Sequence, residues 1–200
     1  MKELSHFKQL ALYDAVILND EITPHTALGV VAEIEQKAID GEKIIDLVVT
    51  SRGGDLDETL ILLQDLDRLR NTYGCRIKTI ARGYANSAAT LLVAMGDHRV
   101  AYEDTEFLIH EPILTTTVPG EETLTEARRE VYETRVAQRK MRKLFAKATG
   151  KSLKEVIAKE NKKMTAREAL EFHLIDEVLV FKGGKICPDE IPKEENGTRK

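Results

Sequence analysis

The stretch that decides the fold reads IARGYANSAATLLVAMGDHRVAYEDTEFLIHEP and covers residues 80–112. Within it, residues 88–95 leave no polar face, so they are predicted to form a helix that is buried on all sides. A turn at residues 83–87 precedes this helix, and two short strands at residues 99–102 and 106–110 follow it. A buried helix that connects neighbouring strands is typical of an α/β domain.

The same alternation of strands and helices extends in both directions along the chain. On the N-terminal side, strands are predicted at residues 15–18, 44–50 and 76–81, a helix starts at Thr23 and Pro24, and a leucine-rich helix covers residues 56–69. On the C-terminal side, helices are predicted at residues 124–149, 153–160 and 166–172, and the last strand lies within residues 174–181. This order predicts an α/β fold with mainly parallel strands.

Length and composition narrow the class of protein. The chain has 200 residues, of which 42% are hydrophobic, so we expect one domain at residues 1–181 and a flexible, charged tail at 182–200. A formal net charge of -4 gives no electrostatic footprint for nucleic acid. Two cysteines are too few for a disulfide framework, which favours a reducing, cytoplasmic compartment. No apolar run is long enough for a signal peptide or a membrane span, so no membrane partner is expected.

The helix predicted at residues 124–149 is long for a domain of this size. At 1.5 Å per residue it would reach roughly 40 Å, which is more than its own core needs. We therefore expect it to project from the domain. Glutamates are interleaved with its basic residues in the first half, so the pattern favours a solvated or subunit-contacting helix over a nucleic-acid surface.

A serine and a histidine in the opening stretch are candidates for nucleophilic catalysis. A serine hydroxyl needs a nearby base and donors for the oxyanion that forms after attack. Ser87 lies at a strand-to-helix turn, where its own amide and that of Ala88 can face the hydroxyl, and His110 ends a strand at the same kind of edge. The glycine turn after residue 52 can add a donor from the Gly54 amide.

Structural interpretations of these residues stay open at this point. Ser87 is also a suitable helix cap, His110 is also a suitable strand-end histidine, and paired glycines also make a plain tight turn. Metal binding is disfavoured, because the five histidines lie far apart and no paired-cysteine or H-E-x-x-H pattern occurs.

Five segments resemble motifs of the Clp protease family, over about residues 15–181. They are SRGGD at 51–55, GYANSAAT at 83–90, FLIHEP at 107–112, ATGKS at 148–152 and MTAREALEFHLIDEV at 164–178. The resemblance implies the crotonase-like fold, a spiral of β-β-α units whose long helix acts as a handle between two stacked heptameric rings, a tetradecamer. It also implies hydrolysis of peptides or unfolded polypeptide inside that assembly, without a cofactor.

Matched residue by residue, the resemblance implies roles for the site. Ser87 corresponds to the nucleophile, His110 to the general base, and the amides of Gly54 and Ala88 to the oxyanion hole. The substrate-aligning positions correspond to Gly53, Asp55 and Pro112.

The third member of the catalytic triad departs from the family pattern. Asn161 stands where the family has an aspartate, and Glu160 beside it is the alternative third member. An asparagine can fix the imidazole tautomer but cannot stabilise an imidazolium by charge. Arg52 also replaces the family's proline beside the substrate-aligning turn.

The resemblance and the departures leave several functions to compare. A AAA+ unfoldase is the partner that the family implies, but only residues 1–14 precede the first predicted strand, which argues against that partnership. The leading prediction is a serine endopeptidase of the Clp type. A weakly active or inactive scaffold subunit is the alternative that Asn161 motivates, and acyl-CoA chemistry on a crotonase-like fold is the third.

Overall fold

The computed structural model describes residues 14–111, 123–182 and 185–188. The strands of this part of the chain are β1 (Val16–Leu18), β2 (Ile44–Ser51), β3 (Arg76–Asn86), β4 (His98–Tyr102), β5 (Glu106–Ile109), β6 (Lys162–Thr165), β7 (Glu177–Lys182) and β8 (Lys185–Pro188). The helices are α1 (Pro24–Ile39), α2 (Leu56–Tyr73), α3 (Ala88–Ala94), α4 (Leu124–Thr149), α5 (Leu153–Lys159) and α6 (Ala166–Glu171). The alternation of strands and helices confirms the α/β prediction.

The strands form a sheet in the order β1-β2-β3-β4-β7-β8, with β5 paired to β3 and β6 paired to β5. Five strand pairs are parallel: β1–β2, β2–β3, β3–β4, β3–β5 and β4–β7. Two pairs are antiparallel: β5–β6 and β7–β8. The long strand β3 pairs with β4 through residues 78–81 and with β5 through residues 84–86. This change of partner brings β5 beside the C-terminal end of β3, where α3 begins.

Residues from all six helices join one face of the sheet in the main buried core. Helix α1 begins as predicted, with Thr23 as the cap and Pro24 in the first turn. Helix α3 is buried at every one of its positions, as its lack of a polar face predicted. The opposite face carries a smaller buried cluster of Val48, Ile80, Val100 and Leu179, which alternate with the core-facing residues along their strands.

Helix α4 has the bounds that the sequence predicts, and it packs unevenly. Its buried residues are Met141, Phe145 and Thr149, all near its C-terminal end. Three large apolar residues in the N-terminal half of α4 are exposed: Leu124 by 67%, Tyr132 by 67% and Val136 by 44%. The first half of α4 therefore lies outside the core. None of the helices in the described ranges combines the length and apolarity needed to cross a bilayer.

The structure differs from the sequence-based elements at three places. Strand β3 continues to Asn86, where a turn is predicted, because β5 provides hydrogen-bonding partners for residues 84–86. Strand β6 is missing from the predicted elements. Residues 185–188, which the sequence assigns to the flexible tail from residue 182, form β8 and pair with β7. Both missed strands are four residues long and contain lysine, so their apolar periodicity is too weak to reveal them.

Candidate active site

Two strand-to-helix connections and one strand end meet at a single groove. We call residues 53–55, between β2 and α2, the glycine corner, and residues 86–88, between β3 and α3, the serine corner. Gly54, Asp55, Ser87, Ala88 and His110 all line one groove of about 890 Å³. Part of its wall is formed by the middle of α4, from residue 130 to residue 141. The structure thus brings together the predicted nucleophile, base and oxyanion donors.

Ser87 has an unusual backbone conformation, with φ 56° and ψ -126°. Residues other than glycine adopt positive φ rarely and at a cost of roughly 1–3 kcal/mol. Although Ser87 occupies the position before α3, its side chain makes no capping hydrogen bond. Its amide donates to the Leu108 carbonyl at 2.7 Å, which fixes the serine beside β5. The helix-cap interpretation therefore does not describe this serine, and its hydroxyl is left for the groove.

Gly53, in the glycine corner, approaches the serine corner so closely that there is no room for a side chain on it. A Cβ atom on Gly53 would lie 2.7 Å from the Ser87 Cβ and 2.9 Å from the Asn86 carbonyl oxygen. The Gly53 amide donates to the Ser51 hydroxyl, and the Gly53 carbonyl accepts from the Ile22 amide. Gly53 therefore lies directly against the serine corner while its backbone bonds to Ser51 and Ile22, and its predicted substrate-aligning role stays a prediction.

The two predicted oxyanion donors are backbone amides of residues that line the groove. Among the hydrogen bonds of the described residues, neither the Gly54 amide nor the Ala88 amide has an acceptor. Unpaired amides at a helix start are suited to a developing negative charge. Asp55 lines the same groove, but its carboxylate caps α2 by accepting from the amides of Asp57 and Glu58 at 2.8 and 3.1 Å.

His110 is half-buried at the end of β5. Its Nδ1 lies 2.6 Å from the carbonyl oxygen of Glu111. A carbonyl oxygen can only accept a hydrogen bond, so Nδ1 carries the proton and Nε2 of the neutral ring keeps its lone pair. This is the tautomer that a general base toward Ser87 requires.

The two candidates for the third triad member are engaged elsewhere. The backbone amide of Asn161 donates to the Ile109 carbonyl at 2.7 Å. Its side-chain Nδ2 donates to a carboxylate oxygen of Glu111 at 3.3 Å. The Glu160 side chain is only 5% exposed and accepts two hydrogen bonds from Arg142 of α4, one of them from Nε at 2.7 Å. This pairing raises the pKa of Arg142. In the described hydrogen-bond network, neither Asn161 nor Glu160 contacts the His110 ring.

Several residues near the site are not identified by the sequence reasoning. Glu111 contacts both His110 and Asn161, and Gln138 of α4 donates to its carboxylate at 2.9 Å. The only sequence signal for Glu111 is a charge beside a candidate histidine. Arg52, by contrast, stands out in the sequence itself, and it lines the groove and stacks its guanidinium 4.9 Å from the centre of the Tyr84 ring.

Pro112 lies outside the described residues. Within those residues, no group of three or more His, Cys, Asp or Glu side chains is arranged to hold a metal ion.

Comparison with known proteins covers most of the chain. A family model described as Clp protease matches residues 2–182. The ATP-dependent Clp protease proteolytic subunit 1 of Thermobifida fusca (strain YX) is 26% identical over 187 residues, which cover 91% of this chain and 81% of that protein. The protein of the same name from Rhodococcus jostii (strain RHA1) is 28% identical over 188 residues, which cover 91% of this chain and 82% of that protein. The matched range extends from before β1 to the end of β7.

Proposed function

The chain belongs to the Clp protease family, and from that membership we propose that it is a serine peptidase that cleaves polypeptides through an acyl-enzyme at Ser87. Its α/β architecture, with helices on a mainly parallel sheet, agrees with the crotonase-like fold that the sequence predicts. The observation that carries the proposal is the state of Ser87. Its hydroxyl caps no helix, its backbone has positive φ, and it shares a groove with His110.

The proposed mechanism follows from the groups in the groove. His110 Nε2 takes the proton from the Ser87 hydroxyl as the oxygen attacks the carbonyl carbon of the scissile peptide bond. The amides of Gly54 and Ala88 donate hydrogen bonds to the oxyanion of the tetrahedral intermediate. His110 then gives the proton to the leaving amine, and a water molecule, activated in the same way, hydrolyses the ester. The two products are a new amino terminus and a new carboxylate.

We propose that the first half of α4 contacts other copies of this chain. The exposed apolar residues Leu124, Tyr132 and Val136 form a surface that a monomer would leave in water. Burying it against the same helix of a second subunit fits a handle between two stacked heptameric rings. The compartment enclosed by such rings would restrict the groove to unfolded chains and short peptides.

We also propose an ATP-driven partner that delivers polypeptide to the groove. Both relatives carry the words ATP-dependent in their names, and this supports such a partner for the present chain. The sequence-based argument against such a partner concerns the short segment before the first predicted strand. Residues 1–13 of this segment lie outside the described residues.

A fluorophosphonate probe tests the nucleophile directly. We expect the probe to modify Ser87, as mapped by mass spectrometry of the digested protein, and to modify no serine in the Ser87→Ala variant. Ser152 provides an internal control, because its hydroxyl caps α5 and it does not line the groove. An unmodified Ser87 in the assembled protein, beside a labelled reference protease, contradicts the proposal. Size measurement on the same sample checks the assembly, and a stable monomer of 22.5 kDa would exclude the rings.

A scaffold subunit without activity is the second candidate function. The observation that favours it is Asn161, which contributes no charge at the position of the family's aspartate. Peptide turnover by wild type and by Asn161→Asp distinguishes the two functions. Activity that appears only in Asn161→Asp favours the scaffold, and activity of the wild type favours the peptidase.

A further inference from the structure

The imidazole of His110 has an acceptor, but that acceptor is not a side chain. The Nδ1–H group donates to the Glu111 carbonyl at 2.6 Å. A triad carboxylate normally has two tasks, because it fixes the imidazole tautomer and stabilises the imidazolium that forms during the reaction. The Glu111 carbonyl performs the first task, and it leaves the second without an assigned group.

The carboxylate of Glu111 is anchored close to this carbonyl by two amides. Gln138 Nε2 donates to one carboxylate oxygen at 2.9 Å, and Asn161 Nδ2 donates to the other at 3.3 Å. The Asn161 backbone is itself attached to β5 through the Ile109 carbonyl at 2.7 Å. An exposed glutamate without partners would sample many rotamers, whereas this one has both oxygens bonded to neighbouring elements.

Helix α4 connects the two segments that carry these groups. Gln138 and Arg142 lie four residues apart and therefore on the same face of α4. Gln138 bonds to Glu111, and Arg142 bonds to the buried Glu160, which precedes Asn161 in the chain. The positions of His110 and Asn161 relative to each other thus depend on the same two turns of α4.

We propose that Glu111 is the positioning residue of His110: its carbonyl fixes the Nδ1–H tautomer, and its carboxylate supplies the negative charge that Asn161 lacks. In this arrangement Asn161 acts through Glu111, because its amide side chain donates to the carboxylate and cannot itself offset a positive charge. The inference rests on the proposed roles of Ser87 and His110 and adds a residue to them.

The isosteric variant Glu111→Gln separates the charge of Glu111 from its shape. The amide keeps the size of the side chain and can still bond with Gln138 and Asn161 after rotation of their amides. We expect kcat on a fluorogenic peptide, and the rate of fluorophosphonate labelling at Ser87, to fall about tenfold or more. We expect KM to stay within about twofold, because substrate binding does not use the charge.

The chain offers a matched control in the adjacent strand, β5. Glu106 begins β5, and its carboxylate pairs with Lys163 at 2.9 Å, away from the groove. Glu106→Gln removes one charge from β5 as Glu111→Gln removes one just after it, and we expect its kcat and labelling rate to equal those of wild type.

The double variant Glu111→Gln with Asn161→Asp places the carboxylate on residue 161 and the amide on residue 111, so the hydrogen bond between them keeps one carboxylate and one amide. We expect it to recover most of the loss in kcat, because a negative charge is again present at the hydrogen bond between residues 111 and 161. Thermal unfolding of all variants, at one protein concentration, shows whether each is folded as wild type is.

The outcomes separate this inference from the proposed function. Wild type that is not labelled overturns the function, and the inference with it. Wild type that is labelled, with Glu111→Gln equally fast, overturns the inference alone. A slow Glu111→Gln variant that the double variant does not rescue also overturns it, since charge is then not what Glu111 contributes.

Discussion

The glycine corner and the serine corner occupy equivalent places in the fold, but they use their polar side chains differently. Each corner follows a parallel strand and precedes a helix. Asp55 has extended backbone angles, and its carboxylate caps α2. Ser87 has positive φ and caps nothing. One polar side chain therefore stabilises the fold, and the other remains available at a cost in backbone strain. The comparison teaches that position at a helix start does not by itself define a cap.

The close approach of Gly54, in the glycine corner, to the backbone of Ile22 gives the largest expected effect on stability. In Gly54→Ala, the new Cβ would lie 2.3 Å from the carbonyl oxygen and 2.6 Å from the nitrogen of Ile22, at a φ of 148°. Backbone atoms cannot move aside as a side chain can, so both overpacking and strain apply. We expect the free energy of unfolding to fall by about 3 kcal/mol or more, as measured by urea denaturation at fixed protein concentration.

Gly74→Ala is the control that isolates backbone strain. Gly74 ends α2 at a φ of 63°, and a Cβ there would meet nothing within 4 Å. We expect it to lose only about 1 kcal/mol. Equal losses in the two variants would show that the contact between Gly54 and Ile22 is not a constraint on the glycine corner.

Removing the side chains of Asp55 and Ser87 tests the comparison through changes of intermediate size in the free energy of unfolding. Asp55→Ala deletes the acceptor of two amide hydrogen bonds at the start of α2, so we expect a loss of about 1 kcal/mol in the free energy of unfolding. Ser87→Ala deletes no capping bond, and we expect its stability to stay within about 0.5 kcal/mol of wild type. A loss in Ser87→Ala as large as that in Asp55→Ala would mean that the serine does cap α3 in solution.

Local features of the sequence predicted much of the fold. The bounds of α4 could be predicted because its start and its end are encoded nearby, by Thr123 with Glu126 and by Gly150. The buried helix α3 could be predicted from its unbroken apolar run. The groove at Ser87 and His110 could be expected because parallel strands end at the same edge of a sheet.

The surroundings of His110 could not be predicted in the same way. Glu111 is bonded to residues 27 and 50 positions away, and no periodicity relates such residues. The side-chain amide of Asn161 donates to Glu111, a partner that no motif indicates. Sequence motifs indicate candidate reacting groups, whereas side-chain partners depend on which elements the fold places together.

The smallest expected change in the free energy of unfolding comes from backbone strain at Ser87, and it is a gain where the other changes are losses. Glycine adopts positive φ without the steric cost of a Cβ, so Ser87→Gly relieves strain while it adds freedom to the unfolded chain. We expect a net gain of about 0.5 kcal/mol in the free energy of unfolding, together with loss of peptidase activity. Ser152→Gly is the matched control, because Ser152 has φ -68° and caps α5 through the Glu155 amide. It should lose a few tenths of a kcal/mol, roughly, since a cap is removed without strain to relieve. If Ser87→Gly is destabilised as Ser152→Gly is, the positive φ of Ser87 carries no strain, and the two corners differ only in their hydrogen bonds.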